Sequence, residues 1–271
     1  VGSEMCIRDR RLSAARPDLS ITLSSQVCPE IREYERQSTA CANAYVQPLM
    51  SRYLTKLDEA LQSMGFMCPF LLMTSGGGLT TLDTSIKFPV RLVESGPAGG
   101  AILATEIAKE CGIDNVLSFD MGGTTAKICL IDDYTPQMTR TFEVARVYRN
   151  LKGSGLPLRI PAIEMVEIGA GGGSIAKVDD MKRISVGPES SGASPGPACY
   201  GQGGLDATVT DADVILGRID PKDFAGGAVK LAPEKADLAL QKAVGDQLSL
   251  DSSLSAFGVS EIVDENMANA A

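Results

Sequence analysis

The most constraining feature of this sequence is an apolar run, 116–119, that leads directly into the stretch DMGGTTAK at 120–127. Glycines let the backbone turn so that its N–H groups point at phosphoryl oxygens, and threonine hydroxyls add donors. A carboxylate such as Asp120 binds Mg²⁺ directly or through water. The pattern predicts a phosphate and metal site at a strand end, with a plain glycine turn between two buried strands as the alternative.

Three further glycine clusters are TSGGG at 74–78, SGPAGG at 95–100 and GAGGGS at 169–174. The second cluster predicts a helix with Ser95 or Gly96 as its cap, Pro97 in its first turn and Gly112 just beyond its end at Cys111, and a helix N-terminus attracts anions. The third favours a ligand on bare backbone amides, with close packing of strand and helix as the alternative. Asp120 is the candidate catalytic and metal-binding residue. The candidate cofactor-binding residues are Gly96, Gly99, Gly100, Gly122, Gly123, Thr124, Thr125, Lys127, Gly171, Gly172, Gly173 and Ser174.

The chain has 271 residues, of which 44% are hydrophobic, so it can bury a substantial core as one large domain or two smaller ones. A formal net charge of −9 argues against nucleic acid or an anionic membrane as a partner, because both need a basic field. No apolar run approaches the ~20 residues of a membrane span, and the first residues lack the apolar core of a secretory signal. We therefore expect a cytoplasmic protein that binds neither nucleic acid nor membrane.

The sequence contains no histidine, which removes the Ser-His-Asp triad, a histidine general base and histidine-ligated zinc. Catalysis must therefore depend on carboxylates, lysine, tyrosine, cysteine, backbone amides or metal. Cys199 has no neighbouring base in the sequence, so we expect it to be structural or to line a site rather than to act as a nucleophile. Asp211 and Asp213 are expected to be carboxylates at a helix start, with a role behind the site as the alternative for Asp211.

Local patterns predict several elements around these clusters. The spacing of apolar residues from Cys41 to Met64 predicts one face of a long helix that Pro48 kinks or divides. Residues 127–131, a turn after them and an extended return predict a hairpin built on the glycine motif. Residues 187–204 are rich in glycine, proline and serine, which predicts an ordered excursion over a site.

Several longer motifs occur in a fixed order along the chain. They are EYER (33–36) with ST (38–39) and NAY (43–45), SGPAGG (95–100), DMGGT (120–124), IGAGGGSIA (168–176), SPGPACYG (194–201), and TVTDA (208–212) with LGR (216–218). In the sequences of these motifs and in their order, the chain resembles the hydantoinase A / 5-oxoprolinase family over roughly residues 21–271. Relatives in that family include N-methylhydantoinase, 5-oxoprolinase and the acetone and acetophenone carboxylases.

This resemblance implies an α/β protein with an actin-like ATPase fold of the ribonuclease-H type, and ATP with Mg²⁺ or another divalent cation as cofactors. Family members carry a first phosphate motif before the matched region and further glycine-rich sequence after it. The chain is therefore expected to hold an incomplete fold, with residues 11–271 as the central part of a hydantoinase A/oxoprolinase domain. Residues 1–10 match no element and are expected to be a non-native flank.

Two positions depart from the family pattern. The resemblance implies aspartate where this chain has Lys127 and histidine where it has Val166. Loss of both would mean the loss of a metal site, or the pair marks a subfamily. One hypothesis is that the Lys127 ammonium supplies a fixed cation near the phosphates in place of part of that metal. The alternative is that Lys127 is a solvated residue on the outer face of a strand.

The leading functional hypothesis that the resemblance implies is a subunit of an ATP-dependent hydrolase. It would open a cyclic amide, a hydantoin or 5-oxoproline, through a phosphorylated intermediate, together with a hydantoinase B-type subunit or domain. Phosphoryl transfer depends on positioning and charge neutralisation, which Asp120, amides and hydroxyls can provide without histidine. The alternatives are a subunit of an ATP-dependent ketone carboxylase, in which phosphate activates an enol or bicarbonate, and a catalytically inert structural piece.

Overall fold

The computed structural model describes residues 2–145, 147 and 153–270, with side chains from residue 8 onward. Contacts divide the chain into two compact units. Unit 1 comprises Val1–Ser118 and Leu130–Glu164, and unit 2 comprises Phe119–Cys129 and Met165–Ala271. Each unit is therefore built from two separate stretches of sequence.

Helices occur in both units. In chain order they are α1 (Gly2–Ala15), α2 (Ser24–Val27), α3 (Glu33–Ser63), α4 (Leu82–Lys87), α5 (Ser95–Cys111), α6 (Val209–Ile215), α7 (Pro233–Leu240), α8 (Asp246–Leu248) and α9 (Ser252–Ala268). Helix α1 covers most of the segment for which the sequence predicted no element. Shorter helical turns are the 3₁₀ turns Pro89–Leu92 and Ala198–Tyr200 and the π turn Gln241–Gly245.

The strands are short. In chain order they are β1 (Leu71–Met73), β2 (Leu79–Thr81), β3 (Val116–Met121), β4 (Ala126–Asp132), β5 (Thr135–Pro136), β6 (Met138–Thr139), β7 (Phe142–Val144), β8 (Leu156–Leu158), β9 (Ala162–Ile163), β10 (Val166–Ile168), β11 (Ser174–Val178) and β12 (Ile184–Ser190). The largest sheet has the order β10-β4-β3 with β5 paired to β4, and the other pairs are β1-β2, β6-β9, β7-β8 and β11-β12. This mixture of helices and strands confirms the predicted α/β class.

The hairpin predicted around the glycine motif is present. Strand β3 leads through a glycine turn into β4, and β4 turns back into β5. Asp133 and Tyr134 both have positive φ, 47° and 56°, which is typical of the tight turn that joins two antiparallel strands. The extended return that the sequence predicted is divided, because β6 and β7 pair with β9 and β8 instead of continuing along β4.

Helix α3 runs unbroken through Pro48, so the prediction that this proline divides the helix is wrong. The predicted apolar face is also wrong for part of its length, since Tyr45 is 87% exposed and Leu49 64% exposed. Leu54 is fully buried as predicted, but the buried residues in the first half of the helix are polar: Ser38, Thr39 and Asn43. Asn43 is fully buried, its Nδ2 donates to the Lys87 carbonyl at 3.1 Å, and its Oδ1 accepts from the Val90 amide at 3.3 Å. These bonds fix α3 against the 3₁₀ turn Pro89–Leu92.

Unit 2 has the larger apolar core. Helices α6, α7 and α9 pack together, and α9 also contacts β12. The buried side chains at the centre of this core include Leu240, Val244 and Val259, each 0% exposed. Because α6 lies in this core, the loops that contact its N-terminus rest on a fixed support.

The segment 187–204 differs in part from the predicted excursion. Its first residues, up to Ser190, belong to strand β12, which pairs with β11. Ala198–Tyr200 forms a 3₁₀ turn that contacts α6 and α7. Across the part of the chain that the structure describes, no helix is both long enough and apolar enough to cross a membrane.

Candidate functional site

The DMGGT stretch forms a tight turn at the end of β3. Asp120 and Met121 are the last residues of the strand, and the Gly122 amide donates to the Thr125 carbonyl at 2.9 Å. Asp120, Gly122, Gly123 and Thr124 are exposed, and Thr125 is half-buried. The sequence motif therefore presents its carboxylate, glycines and first hydroxyl to solvent.

A second glycine turn packs directly on the first. The Gly172 amide donates to the Gly122 carbonyl at 3.0 Å, and the Gly173 amide donates to the Gly123 carbonyl at 2.6 Å. A Cβ at Gly171 would lie 2.7 Å from the Gly122 oxygen, so an alanine has no room there. We call the two turns, Gly122–Thr125 and Gly171–Gly173, the glycine-loop pair.

Side chains behind the glycine-loop pair hold its second turn in place. The amide and Oγ1 of Thr210 both donate to the Gly172 carbonyl, at 2.7 and 2.8 Å. The amide and Oγ of Ser191 donate to the Gly173 carbonyl, at 2.9 and 3.2 Å. The sequence analysis did not identify Thr210 or Ser191 as part of the site, although Thr210 lies within the TVTDA motif.

The two turns of the pair use their backbone amides differently. The Gly171 amide donates to Ser174 Oγ at 2.9 Å, so Gly171, Gly172 and Gly173 all donate to groups within the protein. By contrast, no hydrogen bond formed among the described residues has the amide of Gly123, Thr124 or Thr125 as its donor. The first turn can therefore receive an anion, whereas the second turn supports the first.

The predicted metal ligand Asp120 is exposed at this turn. Within residues 8–145, 147 and 153–270, no three His, Cys, Asp or Glu side chains converge as a metal site. A single carboxylate fits Mg²⁺ in the mode in which substrate phosphates and water supply the remaining ligands. The assignment of Asp120 as a catalytic and metal-binding residue stays a prediction.

Lys127 is not the solvated residue that the sequence analysis considered as the alternative. Its side chain is only 15% exposed, and its Nζ lies 4.0 Å from Glu167 Oε1 on the neighbouring strand. The strand register pairs Lys127 with Glu167 and Ile128 with Val166. Since paired residues share a sheet face and successive residues alternate, Lys127 and Val166 point to opposite faces. The register therefore argues against one metal ion bound by side chains at both positions, and the lost metal site stays a hypothesis.

The glycines of the SGPAGG cluster belong to unit 1. Helix α5 ends at Cys111 before Gly112, as predicted, but it begins at Ser95 with Glu94 as its cap in the left-handed region, one or two residues earlier than predicted. A Cβ at Gly96 or Gly100 would meet nothing within 4 Å, and one at Gly99 would meet only Met73 Cγ at 4.0 Å. These glycines therefore leave the first turns of the helix uncovered, and their predicted contact with a cofactor stays a prediction.

Asp211 is a structural carboxylate at the start of α6. It is fully buried, and its oxygens accept from the amides of Cys199 at 2.7 Å, Thr208 at 2.9 Å and Ala198 at 3.3 Å and from Thr208 Oγ1 at 2.7 Å. This confirms Asp211 as a helix-start residue. Asp213 lies further along α6, and burial raises the pKa of its carboxyl.

Cys199 is also fully buried. Burial, followed by the nearby Asp211 carboxylate, raises the pKa of its thiol far above the ordinary range. A neutral buried thiol is a poor nucleophile, which agrees with the structural role predicted for this residue.

Comparison with known proteins shows which proteins this chain is similar to. The family model Hydantoinase/oxoprolinase matches residues 36–271. An uncharacterized protein of Methanocaldococcus jannaschii is 40% identical over 93% of this chain and 37% of its own length. The caprolactamase subunit alpha of Pseudomonas jessenii is 36% identical over 94% of this chain and 35% of its own length. The chain thus spans about a third of the length of these curated relatives.

Two solved structures are similar over nearly the whole chain. A nucleotide-free acetone carboxylase, described in work on ATP-dependent acetone carboxylation, has a TM-score of 0.79 at 26% identity and covers 98% of this chain and 37% of its own. The ATP-dependent caprolactamase of Pseudomonas jessenii has a TM-score of 0.71 at 32% identity and covers 97% of this chain and 37% of its own. The chain therefore belongs to the hydantoinase/oxoprolinase family.

Proposed function

We propose that the glycine-loop pair is one phosphate-binding half of an ATP site in an actin-like ATPase of the ribonuclease-H type. The observation that carries this proposal is that the backbone amides of the second turn donate within the protein, whereas those of Gly123, Thr124 and Thr125 donate to no described residue. The amides of Gly123, Thr124 and Thr125 and the two threonine hydroxyls would receive phosphoryl oxygens, and Asp120 would hold Mg²⁺ through water or directly. Bound Mg²⁺ would supply charge neutralisation on the phosphates.

The nature of the relatives supports ATP as the shared ligand. The similar structures are an ATP-dependent amide hydrolase and an ATP-dependent carboxylase, which act on chemically different substrates. What the two have in common is ATP, and the region that both share with this chain covers 97–98% of it. The absence of histidine from the sequence is compatible with this role, because phosphoryl transfer needs mainly positioning and charge neutralisation.

For the whole protein we infer an ATP-dependent hydrolase that opens a cyclic amide such as a hydantoin, 5-oxoproline or another lactam. The ring carbonyl oxygen would attack the γ-phosphorus of ATP, and ADP would leave. Water would then add to the ring carbon, the C–N bond would break with a proton going to nitrogen, and a second water would hydrolyse the resulting acyl phosphate to carboxylate and phosphate. The 36% identity to a caprolactamase subunit favours this chemistry.

A second candidate function is a subunit of an ATP-dependent ketone carboxylase. The observation in its favour is the higher TM-score to acetone carboxylase, 0.79 against 0.71 for the caprolactamase. In that reaction phosphate would activate the enol of the ketone or bicarbonate. The same glycine-loop pair would serve both reactions, since it would contact only the nucleotide.

A further subunit is part of the proposal. The similar caprolactamase chain is named as subunit alpha, which implies at least one other subunit in that enzyme. By analogy, we infer that this chain works with a hydantoinase B-type subunit or domain.

The test is release of ADP by the polypeptide that carries this chain, combined with its B-type subunit. Caprolactam, hydantoin and 5-oxoproline form one set of substrates, and acetone or acetophenone with bicarbonate forms the other. Stimulation by a cyclic amide, abolished by Asp120→Asn and kept by Asp132→Asn, is the expected result. Asp132 is a matched control because it is an exposed aspartate at the other end of the same hairpin. Stimulation by ketone and bicarbonate alone would establish the second candidate, and stimulation by neither set would contradict both.

A further inference from the structure

Unit 1 contains a cleft that the function proposed above does not use. It consists of two cavities of about 450 and 380 Å³ that share the lining residues Glu30, Arg159, Ile160 and Pro161. The larger cavity extends to Arg140, and the smaller one extends to Arg91. We call this combined space the arginine cleft. Its residues all belong to unit 1, whereas the glycine-loop pair belongs to unit 2.

The fold holds two of the three arginines on fixed backbone. The Arg159 amide donates to Thr39 Oγ1 at 2.8 Å, and that hydroxyl in turn donates to the Glu35 carbonyl within α3 at 2.6 Å. The amide and Oγ of Ser75 both donate to the Arg91 carbonyl at 2.8 Å. Side chains carried by such fixed segments are suited to holding a ligand in one orientation.

The TSGGG turn also shapes the cleft. Thr74 and Gly76 line its smaller cavity. A Cβ at Gly76 would lie 3.4 Å from the Pro161 carbonyl oxygen, which is ordinary van der Waals contact, so this turn packs against the cleft wall. This glycine cluster, for which the sequence predicted no site residue, therefore lines the arginine cleft.

The cleft is positively charged within an acidic chain. Arg91, Arg140 and Arg159 supply three charges, and Glu30 is the single carboxylate among its lining residues. The nearest ion-pair contact of Arg159 to Glu30 is 3.5 Å, from Nη1 to Oε2. A local excess of two positive charges stands out against the formal net charge of −9 for the whole chain.

The Arg159 guanidinium keeps one donor without an acceptor. Its Nε is buried and has no hydrogen-bond partner among the residues that the structure describes. Buried N–H groups are nearly always paired, and a guanidinium binds carboxylate or phosphate through two parallel N–H bonds. The Arg159 side chain is 21% exposed, so an oxyanion in the cleft would contact its terminal nitrogens beside Glu30, whose Oε2 lies 3.5 Å from Nη1.

We propose that the arginine cleft binds a small organic anion. Arg159, with Arg91 and Arg140, would hold its oxyanion, which is a carboxylate or a phosphate group. Ile160 and Pro161 would contact its apolar part. This proposal is independent of ATP binding at the glycine-loop pair.

The test is ¹H–¹⁵N NMR of the arginine side chains in the 271-residue chain, titrated separately with inorganic phosphate and with acetate. The expected result is a saturable shift of the Arg159 Nε–H signal, because an anion bound at the guanidinium changes the electronic environment of that group. This signal reports on the cleft alone, so phosphate bound elsewhere does not disturb the assignment. A tighter response to phosphate identifies a phosphorylated ligand, and a tighter response to acetate identifies a carboxylate ligand.

Two variants give the test its control. Arg140 is exposed at the cleft, so Arg140→Gln is expected to preserve the fold and to weaken binding about tenfold through loss of a charge-assisted bond. Arg52→Gln removes an exposed arginine from α3 outside the cleft and is expected to leave binding unchanged. The proposal is overturned if neither probe shifts the Arg159 Nε–H signal, or if both variants weaken binding equally.

Discussion

The two units use glycine for opposite purposes. In unit 2, Gly171 and Gly173 are buried where a Cβ would come within 3 Å of backbone atoms of the first turn. In unit 1, Gly96 and Gly100 at the start of α5 face open space, and a Cβ would meet nothing within 4 Å. Similar glycine-rich wording in the sequence thus corresponds to a closed junction in one unit and to an open helix end in the other.

This difference shows what a glycine cluster can and cannot indicate. A cluster signals that a side chain is not needed, but only the surroundings decide whether a side chain would be excluded. The closed junction fixes the position of the first turn, whereas the open helix end leaves room for a further group.

Gly171→Ala is expected to reduce the free energy of unfolding by about 3 kcal/mol, because the new Cβ must displace backbone atoms and break the bonds between the two turns. Urea denaturation followed by far-UV circular dichroism measures this change. The contrast fails if the variant is as stable as the parent chain, since the second turn would then be loose enough to move aside.

Asp211→Asn is expected to cost about 2 kcal/mol in the same assay. The asparagine side chain keeps one acceptor oxygen, but its NH₂ group faces N–H donors that the carboxylate had accepted from. The substitution also removes the negative charge that strengthens those hydrogen bonds. Asp237→Asn on α7 is the control, because Asp237 is exposed and should change stability little. Equal stability of the two variants would show that the Asp211 carboxylate does not support the segment beneath the glycine-loop pair.

Gly100→Ala makes the same change as Gly171→Ala but at an open position within α5. It is expected to stabilise the chain by about 0.5–1 kcal/mol, because alanine has the higher helix propensity and no atom is displaced. The two alanine variants should therefore differ in sign. A loss of stability in Gly100→Ala would mean that this helix face is covered.

The reactivity of two cysteines also compares the two units, and here the expected effect on stability is smaller. Cys199 in unit 2 is buried and the pKa of its thiol is raised, whereas Cys111 at the end of α5 is exposed. In the folded chain iodoacetamide should modify Cys111 and leave Cys199 intact even at pH 9, as peptide mass spectrometry can show. The Cys199 thiol ionises at a lower pH in the unfolded chain than in the folded chain. The contribution of this thiol to the free energy of unfolding should therefore fall as the pH rises above the ordinary thiol pKa. Rapid modification of Cys199 in the native state would contradict the burial of this side chain.

Local features of the fold were predictable from the sequence, and long-range ones were not. The turn between β3 and β4 and the end of α5 at Gly112 follow from neighbouring residues, so the sequence predicted both. The buried polar face of α3 depends on Asn43 meeting residues 44 and 47 positions away, which no periodicity reveals.

The same limit applies to the candidate site. The DMGGT motif was recognised because its chemistry lies in consecutive residues. The support from Thr210 to Gly172 joins residues 38 positions apart, and the opposite orientation of Lys127 and Val166 follows only from the strand register. The arginine cleft likewise brings Arg91 and Arg159 together from distant parts of the chain.

In the proposed function, the first turn of the glycine-loop pair receives phosphate while the second supports it. The most direct measurement is a titration of the isotope-labelled chain with Mg-ATP, followed through its backbone amide signals. The account predicts saturable shifts at Gly123, Thr124 and Thr125 that exceed those at Gly172 and Gly173. Unshifted signals at Gly123, Thr124 and Thr125 under saturating Mg-ATP would contradict it.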